Sequence, residues 1–312
     1  MENILHWELG IIQFIQRGAG QPLTTLMIGI TQLGSAAAYL ILIPLIYWCI
    51  NEKKGFVLGL VILISAWLNL TLKFVLDQPR PFFAGFDPSL QMVPEKLGGL
   101  PSGHAQNALV MWIIIASWVR KKWAYAGAAI ICLAVSFSRV YLGVHFPTDI
   151  LGGWIAGGIV LCIYFLFNGK IEELLDKGGY RAQIISIAIL SFIMLFYRPS
   201  DDFLLQSAIL LGMGAGYIIN KKSIQFKSAI TLQYKPLIKL GIAVIRFLLG
   251  ITVTVLVFVI FRKIIPSVRE TSYYQIVYFF QYALIGLWVT AGAPWLFGIL
   301  HLAEKGQKAI EE

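Results

Sequence analysis

The sequence predicts an all-α fold: a polytopic helical membrane protein with about nine transmembrane helices. Hydrophobic residues make up 58% of the 312 residues, and the mean hydropathy is +0.76. Charged residues make up 13%, about half of their share in an average soluble domain. The chain contains nine apolar runs, which would occupy about 180 residues at about 20 residues for each span. This composition excludes a disordered chain and an ordinary soluble enzyme.

The apolar runs alternate with short polar loops. The predicted spans are 35–50, 55–76, 104–119, 123–141, 149–168, 182–197, 203–220, 237–261 and 276–300. Segment 9–30 is apolar but is broken by Gln, Arg, Gly and Pro, so we expect residues 1–30 to form an interfacial or re-entrant segment. The polar loop 168–181 divides a membrane core, residues 1–170, from a four-span C-terminal region of unassigned role, residues 171–312.

Most Lys and Arg residues lie in the short loops, where a membrane protein carries the charges that set its orientation. The net charge of +9 therefore gives no reason to expect nucleic acid as a partner. One set of loops, together with the C-terminal tail, carries 14 of these residues, and the opposite set carries 7. The positive-inside rule places the first set in the cytoplasm. Loops 77–103 and 142–148 then face the outside of a cell membrane.

Unusual polar residues gather in these two outer loops and at the adjoining span ends. Three clusters stand out: Lys73 to Pro81 (KFVLDQPRP), Pro101 to His104 (PSGH) and Ser138 to Asp149 (SRVYLGVHFPTD). If neighbouring spans run antiparallel, all three clusters meet at the same face of the membrane.

The cations of these clusters suit a dianionic phosphate group. Lys73, Arg80 and Arg139 lie where the chain otherwise avoids charge, and the fork of an Arg side chain matches phosphate geometry. Ser102 is placed to cap a long apolar helix, and Gly103 lets the backbone approach a ligand. The N-terminus of that helix offers free N–H groups and the positive end of a dipole to the anion.

Two histidines and an aspartate complete a set for phosphoryl transfer. His104 and His145 can supply an acid and a nucleophile. Asp149 follows His145 by four residues, so a helix that starts near Pro147 brings its carboxylate within reach of Nδ1 of His145. A phosphohistidine route needs no metal, and we expect neither a metal nor another cofactor. The three cysteines lie in apolar segments without Cys-x-x-Cys spacing, which excludes a zinc site.

Taken one at a time, these residues also fit structural roles. Lys73 and Arg139 could extend to the interface from span ends, and Asp149 could cap the next helix. The joint occurrence of three clusters, in order and on one face, favours a functional site.

Together the clusters resemble the three signature motifs of the type 2 phosphatidic acid phosphatase superfamily, and every signature position is matched. The motifs are Lys-x6-Arg-Pro, Pro-Ser-Gly-His and Ser-Arg-x5-His-x3-Asp, and the resemblance covers about residues 30–168. It implies a helical membrane phosphatase of lipid phosphates or diphosphates. It also implies that His145 is the nucleophile, that His104 protonates the leaving group and that Asp149 orients the nucleophile. The phosphate-binding positions match Lys73, Arg80, Ser102, Gly103 and Arg139.

The leading hypothesis is a metal-independent lipid phosphate phosphatase that takes its substrate from the bilayer at the outer face. A sugar-phosphate phosphatase or a lipid phosphotransferase would use the same residues, and both stay open. A transporter or flippase for an anionic lipid is a third hypothesis, suggested by the extra spans and by Arg246 inside span 237–261. No Asp or Glu lies in mid-span, which argues against a proton- or sodium-driven carrier.

The sequence identifies neither the lipid nor the oligomeric state. Phosphatidic acid, phosphatidylglycerol phosphate, undecaprenyl diphosphate and sphingoid phosphates offer the same phosphate to the same residues. The small-residue pattern 212–216 (GMGAG) suits close helix approach or the face of a homodimer.

Overall fold

The computed structural model describes residues 2–18, 20–83, 86–196, 200–229 and 235–303, and every regular element within these ranges is helical. The helices are α1 Glu2–Gln16, α2 Gln21–Thr31, α3 Ala36–Cys49, α4 Glu52–Leu76, α5 Gly103–Val119, α6 Lys122–Tyr141, α7 Pro147–Lys177, α8 Tyr180–Phe196, α9 Asp201–Ile219, α10 Pro236–Val268, α11 Tyr274–Leu287 and α12 Ala293–Ile299. Arg198, Lys305 and Lys308, which enter the charge balance above, lie outside the described residues.

The membrane-spanning helices confirm the predicted fold class but not the count of nine. Within the described ranges, six helices are long and apolar enough to cross a membrane, or seven spans if Gln21–Gly34 and Ala36–Cys49 are one bent span. The other predicted spans also form helices, but α3 has 14 residues and α5 and α8 have 17 each. These lengths lie at or below the lower limit for a span, which typically takes about 20 residues.

Helices α1 and α2 occupy the segment for which we expect an interfacial or re-entrant arrangement. They have 15 and 11 residues, so neither is long enough to cross a bilayer alone. Helix α1 buries Leu5 and Ile12, whereas Trp7 and Phe14 are 69% and 71% exposed. One side of α1 therefore packs on protein, and the other side presents apolar rings outward.

The chain divides into two compact units, Met1–Tyr39 with Ile64–Asn168 and Leu40–Leu63 with Gly169–Glu312. All three polar clusters belong to the first unit. A buried apolar cluster in this unit joins α1 to the ends of the helices that carry the polar residues. It consists of Leu5, Ile12, Leu90, Ala105, Val140, Phe146 and Ile150.

The polar run after residue 168 is helical, although the sequence suggests a loop there. Helix α7 continues to Lys177, and the chain turns at the following glycine pair. Glu173 and Lys177, four residues apart on this exposed stretch, form an ion pair of 3.6 Å. Such i,i+4 pairs favour a solvated helix over a loop.

The second unit relies on small residues and on one buried cation. A Cβ at Gly212 in α9 would lie 1.9 Å from the carbonyl oxygen of Ala283 in α11, so the small-residue pattern serves close helix packing within the chain. Arg246 in α10 is 1% exposed. It donates to the carbonyl oxygens of Trp48 at 3.0 Å, Ser228 at 2.7 Å and Leu302 at 2.9 Å. These bonds give Arg246 a structural role.

Candidate active site

A buried amide network holds the start of α5. Nδ2 of Asn69 donates to the carbonyl oxygen of Pro101 at 3.1 Å and to Oε1 of Gln106 at 2.8 Å. Nε2 of Gln106 donates in turn to the carbonyl oxygen of Ser65 at 2.8 Å. A Cβ at Gly103 would lie 2.9 Å from Oδ1 of Asn69, so glycine lets the turn close against this network.

Ser102 occupies the N-cap position of α5, but its side chain makes no capping hydrogen bond. The predicted N-cap position is confirmed, but the prediction that the hydroxyl group of Ser102 caps the helix is wrong. Its oxygen is buried and has no hydrogen-bond partner among the described residues. The backbone N–H of Ser102 donates to the carbonyl oxygen of Asp149 at 2.9 Å and thereby ties α5 to α7. The hydroxyl remains available to a ligand.

The connection between α6 and α7 carries the third cluster. Arg139 lies in the last turn of α6 and Asp149 in the first turn of α7. Between them, Gly143 has φ +69°, and a Cβ there would lie 1.9 Å from the carbonyl oxygen of Leu90. This turn therefore requires glycine, and it sets the position of His145 two residues later.

The imidazole of His145 is held at both nitrogens. Nδ1 lies 3.0 Å from Oδ2 of Asp149, and Nε2 lies 3.2 Å from Nη1 of Arg80. Because a guanidinium only donates, Nε2 is the acceptor and Nδ1 carries the proton that Asp149 accepts. The carboxylate of Asp149 also accepts from the backbone N–H of Phe146 at 3.0 Å and from Nε2 of Gln78 at 2.8 Å. The lone pair on Nε2 is therefore on the side of the ring away from Asp149.

Burial lowers the pKa of His145 well below its usual value of 6.5, and the positive charges of Arg80, Lys73 and Arg139 lower it further. The ring is therefore neutral at pH 7 and keeps its lone pair. Burial also lowers the pKa of Arg80 to about 10, against the opposing charge of Glu95, so Arg80 remains protonated.

The segment 95–99, which we call the strap, supplies carbonyl oxygens to two of the predicted phosphate-binding cations. Nζ of Lys73 donates to the carbonyl oxygens of Gly98 at 2.5 Å and Gly99 at 3.0 Å. Nε of Arg80 donates to the carbonyl oxygen of Leu97 at 2.5 Å. Lys73 and Arg80 are 7% and 2% exposed, so these bonds replace much of their hydration.

The strap also places a carboxylate between the two arginines. Oε2 of Glu95 lies 3.3 Å from Nη2 of Arg80, and Oε1 bonds to Nη2 of Arg139. Nη1 of Arg139 donates to Oγ1 of Thr31 at 3.0 Å. Nε of Arg139 is buried and has no hydrogen-bond partner among the described residues. The unpaired Nε–H and the hydroxyl of Ser102 are donors that an incoming oxyanion can use.

His104 lies in the first turn of α5 and interacts electrostatically with Lys73, Arg80, Arg139 and His145. The structure thus brings all of the predicted site residues together within the first unit. The roles assigned to them stay predictions. The arrangement can bind an oxyanion between three cations and present a neutral imidazole nitrogen to it.

Sequence reasoning missed two side chains that contact this group, Gln78 and Glu95, and a third, Glu8, that contacts the neighbouring Thr148. Gln78 lies inside the first motif, and Glu95 is one of two acids in the described part of loop 82–100. Glu8 is an acidic residue within the apolar segment at the start of the chain. An acidic residue in such a segment could have indicated a buried partner. Its Oε1 accepts from the backbone N–H of Thr148 at 2.8 Å, and its Oε2 accepts from the hydroxyl of Thr148 at 2.8 Å.

A cavity of about 350 Å³ lies beside Lys73. Its lining combines apolar groups with one acid and one further cation, and includes Phe74, Asp77, Phe83, Lys96 and Leu97. Such a lining can accommodate a small polar headgroup. Among the described residues, no group of three or more His, Cys, Asp or Glu side chains is arranged to hold a metal.

Two family models match the chain. The one described as the PAP2 superfamily matches residues 54–173. The one described as the PAP2 superfamily phosphatase, transmembrane extension, matches residues 205–305. The first match contains all of the predicted site residues and the strap, but it does not contain α1 or α2.

Curated relatives match about half of the chain. Phosphatidylglycerophosphatase B of Bacillus subtilis is 36% identical over 168 residues, which cover 49% of this chain and 78% of that protein. Glucose-6-phosphatase catalytic subunit 1 of Haplochromis nubilus is 32% identical over 165 residues, 44% of this chain and 46% of that protein, so the chain spans about half of its length. A crystal structure of a PAP2-type phosphatidylglycerolphosphate phosphatase from Bacillus subtilis is 29% identical with a TM-score of 0.48, and it covers 55% of this chain and 89% of that one.

Proposed function

Because the chain belongs to the PAP2 superfamily and is a membrane phosphatase that acts on lipid phosphates, we propose that it hydrolyses their phosphate monoesters through a phosphohistidine, without a metal ion. The observation that carries this proposal is the pairing of His145 with Asp149 at 3.0 Å, which leaves Nε2 unprotonated beside the cations. The relative that is 36% identical makes phosphatidylglycerol phosphate the first substrate to test.

In the first step, Nε2 of His145 attacks phosphorus in line with the leaving oxygen. The bond from phosphorus to the lipid oxygen breaks as the bond from nitrogen to phosphorus forms. His104 donates a proton to the departing oxygen, and Asp149 stabilises the positive charge that develops on the ring of His145. Nη1 of Arg80 has to turn from Nε2 to a phosphoryl oxygen, because the same lone pair cannot accept a hydrogen bond and attack.

In the second step, water replaces the nitrogen. His104, now neutral, accepts a proton from the water, and the hydroxyl oxygen bonds to phosphorus as the bond to Nε2 breaks. Inorganic phosphate leaves, and His145 returns to its neutral form with the proton on Nδ1.

The cations take the role that metal ions have in many phosphoryl-transfer sites. Lys73, Arg80 and Arg139 can neutralise the charge on the equatorial oxygens. The hydroxyl of Ser102 and the first N–H groups of α5, at Gly103 and after it, can add hydrogen bonds. Their buried positions strengthen each of these interactions.

We place the site at the extracytoplasmic face of a cell membrane, because the loops that carry it hold the smaller share of Lys and Arg. A lipid can then keep its acyl chains in the bilayer while its headgroup reaches His145. A sugar-phosphate phosphatase is the second candidate, supported by the relative that is 32% identical.

The test measures phosphate release by the purified protein in detergent with EDTA. The substrates are phosphatidylglycerol phosphate, phosphatidic acid, undecaprenyl diphosphate and glucose 6-phosphate. His145→Ala and His104→Ala are the test variants, and Ser136→Ala, outside the three motifs, is the control. We expect release that survives EDTA, is abolished in both histidine variants and persists in the control.

The outcomes separate the hypotheses. Normal release by a folded His145→Ala protein would sink the phosphohistidine route. Release from glucose 6-phosphate alone would replace the lipid substrate by a sugar phosphate. Release only in the presence of a lipid acceptor would make the chain a phosphotransferase.

A further inference from the structure

Helix α1 contributes a carboxylate to the helix that carries Asp149. Glu8 is 2% exposed, and both of its oxygens accept hydrogen bonds of 2.8 Å from Thr148, one from the backbone N–H and one from the hydroxyl. Thr148 lies in the first turn of α7, between His145 and Asp149. Glu8 therefore caps α7 from another element, at the point where the catalytic pair is held.

The cap satisfies an N–H group that the helix itself cannot pair. The first N–H groups of an α-helix have no partner inside the helix, and a negative charge beside them is favourable. Asp149 uses its Oδ2 for the N–H of Phe146 at 3.0 Å and for Nδ1 of His145, so it is not placed to cap Thr148 as well. Glu8 caps the N–H group of Thr148, and Asp149 keeps its hydrogen bond to His145.

Apolar packing fixes α1 on the same loop. Leu5 and Ile12, which flank Glu8 on α1, belong to the buried cluster that contains Phe146 and Ile150. Nε2 of Gln16, further along α1, donates to the carbonyl oxygens of Leu90 at 3.0 Å and Tyr141 at 2.7 Å. The helix is thus attached before and after the His145 turn.

We infer that Glu8 is a positioning residue for the reaction: through Thr148 it holds the start of α7 so that Asp149 keeps the ring of His145 in the attacking orientation. The inference rests on the proposed function. Helix α1 lies outside both of the family-model matches, which cover residues 54–173 and 205–305. Glu8 acts through Thr148 and Asp149, and nothing requires it to contact the substrate.

The kinetic test compares Glu8→Ala with Glu8→Gln, using Gln13→Ala as a matched control. Gln13 also lies on α1 and bonds to Asp87 in the outer loop, at 3.1 Å, but does not reach α7. We expect Glu8→Ala to lower kcat about 10- to 100-fold with little change in KM, because the cations that bind phosphate are untouched. Glu8→Gln keeps an acceptor oxygen for the N–H of Thr148, so its kcat should fall less than about fivefold. The control should retain the kinetics of the unchanged protein.

A second measurement follows the resting protein without substrate. In protein labelled with ¹⁵N-histidine, the proton on Nδ1 of His145 reports its hydrogen bond to Asp149. Glu8→Ala should shift or broaden this signal, whereas Gln13→Ala should leave it in place. If Glu8→Ala does not fold, Thr148→Val removes only the bond to Oε2 of Glu8 and should lower kcat without raising KM.

The outcomes distinguish this inference from the proposed function. If the unchanged protein releases no phosphate from any substrate, the proposed function fails, and the signal of His145 still tests the contact. An unchanged kcat and an unchanged Nδ1 signal in folded Glu8→Ala would overturn the inference. Equal losses in Glu8→Ala and Glu8→Gln, with a raised KM, would also overturn it and show a general role of the charge.

Discussion

The carboxylate of Glu95 bonds directly to the guanidinium of Arg139, and its second oxygen lies 3.3 Å from Arg80. An internal anion thus contacts both of the arginines that we propose as phosphate-binding residues. Arg80 and Arg139 are each 2% exposed, and Glu95 is the only acidic side chain that forms an ion pair with either arginine among the described residues. On the proposed mechanism, a substrate phosphate competes with this carboxylate for the same nitrogen atoms.

Glu95→Gln should therefore tighten phosphate binding. The neutral amide holds the arginines less strongly than the carboxylate, so we expect KM and the inhibition constant of inorganic phosphate to fall about tenfold. Inhibition of turnover by added phosphate measures the effect. Asp87→Asn removes a carboxylate from the same loop that bonds to Ser89 and Gln13, and should change neither constant. Weaker phosphate binding in Glu95→Gln would instead show that Glu95 orients the arginines.

Stability should depend on pH through His145. Its pKa in the folded protein is lowered well below 6.5, whereas the unfolded chain has the ordinary value of about 6.5. Between these two values the unfolded state binds a proton that the folded state does not, so the free energy of unfolding falls as the pH drops below about 6.5. His145 itself contributes at most about 1.4 kcal/mol to this loss for each pH unit, because one ring takes up at most one proton.

Melting temperatures at pH 8 and pH 5.5 test this dependence. The unchanged protein should lose more stability on acidification than His145→Gln, because the variant lacks the titrating ring. Equal losses in both proteins would assign the acid sensitivity to other groups.

Ser102→Ala should weaken substrate binding without weakening the fold. The hydroxyl of Ser102 has no partner among the described residues, so its removal breaks no hydrogen bond of the resting protein. If the hydroxyl donates to the charged phosphate, KM should rise about tenfold or more while Tm stays the same.

The matched control for Ser102 is Ser136→Ala, which lies outside the three motifs. The hydroxyl of Ser136 is also buried, but its oxygen accepts a hydrogen bond from Nε1 of Trp154 at 3.0 Å. We expect no change in KM for this variant. A raised KM in both variants would show that any loss of a buried hydroxyl in this region disturbs binding.

Arg246→Met should destabilise the second unit and leave the chemistry intact. The substitution leaves the carbonyl oxygens of Trp48, Ser228 and Leu302 without their donor, which should lower the free energy of unfolding by about 2–4 kcal/mol. Thermal denaturation and kcat/KM, measured on the same preparation, check both parts. A variant with unchanged Tm that no longer moves labelled lipid across vesicles would revive the transporter hypothesis.

The sequence predicted which residues of the three clusters lie together, but it did not predict the residues from other segments that pack against them. The three clusters have fixed internal spacings, and short helices and turns convert such spacings into geometry. The spacing of four positions from His145 to Asp149 is an example. Glu95 and Glu8 pair with partners 44 and 140 positions away, and no local pattern links such residues. Their contacts depend on how the strap and α1 fold back over the cations and the catalytic loop.

The predicted elements show the same limit. All nine predicted spans contain helices, because long apolar runs specify helix directly. Hydropathy alone did not reveal that α3 would be only 14 residues long, or that it would be bent by 49° from the preceding helical segment Gln21–Gly34. The break lies at Ser35, whose extended backbone angles end one helix before the next begins.

The contacts of Arg246 have a consequence for the order in which the protein is made. The residues of the candidate site lie between positions 8 and 149, whereas the carbonyl groups that surround Arg246 come from positions 48, 228 and 302. Chains are synthesised from the N-terminus, at about 5–20 residues per second. The residues of the candidate site are therefore all synthesised several seconds before the last of these carbonyl groups. Until then the cation of Arg246 lacks one of its acceptors, so this buried network of the second unit is completed only after residue 302 has been synthesised.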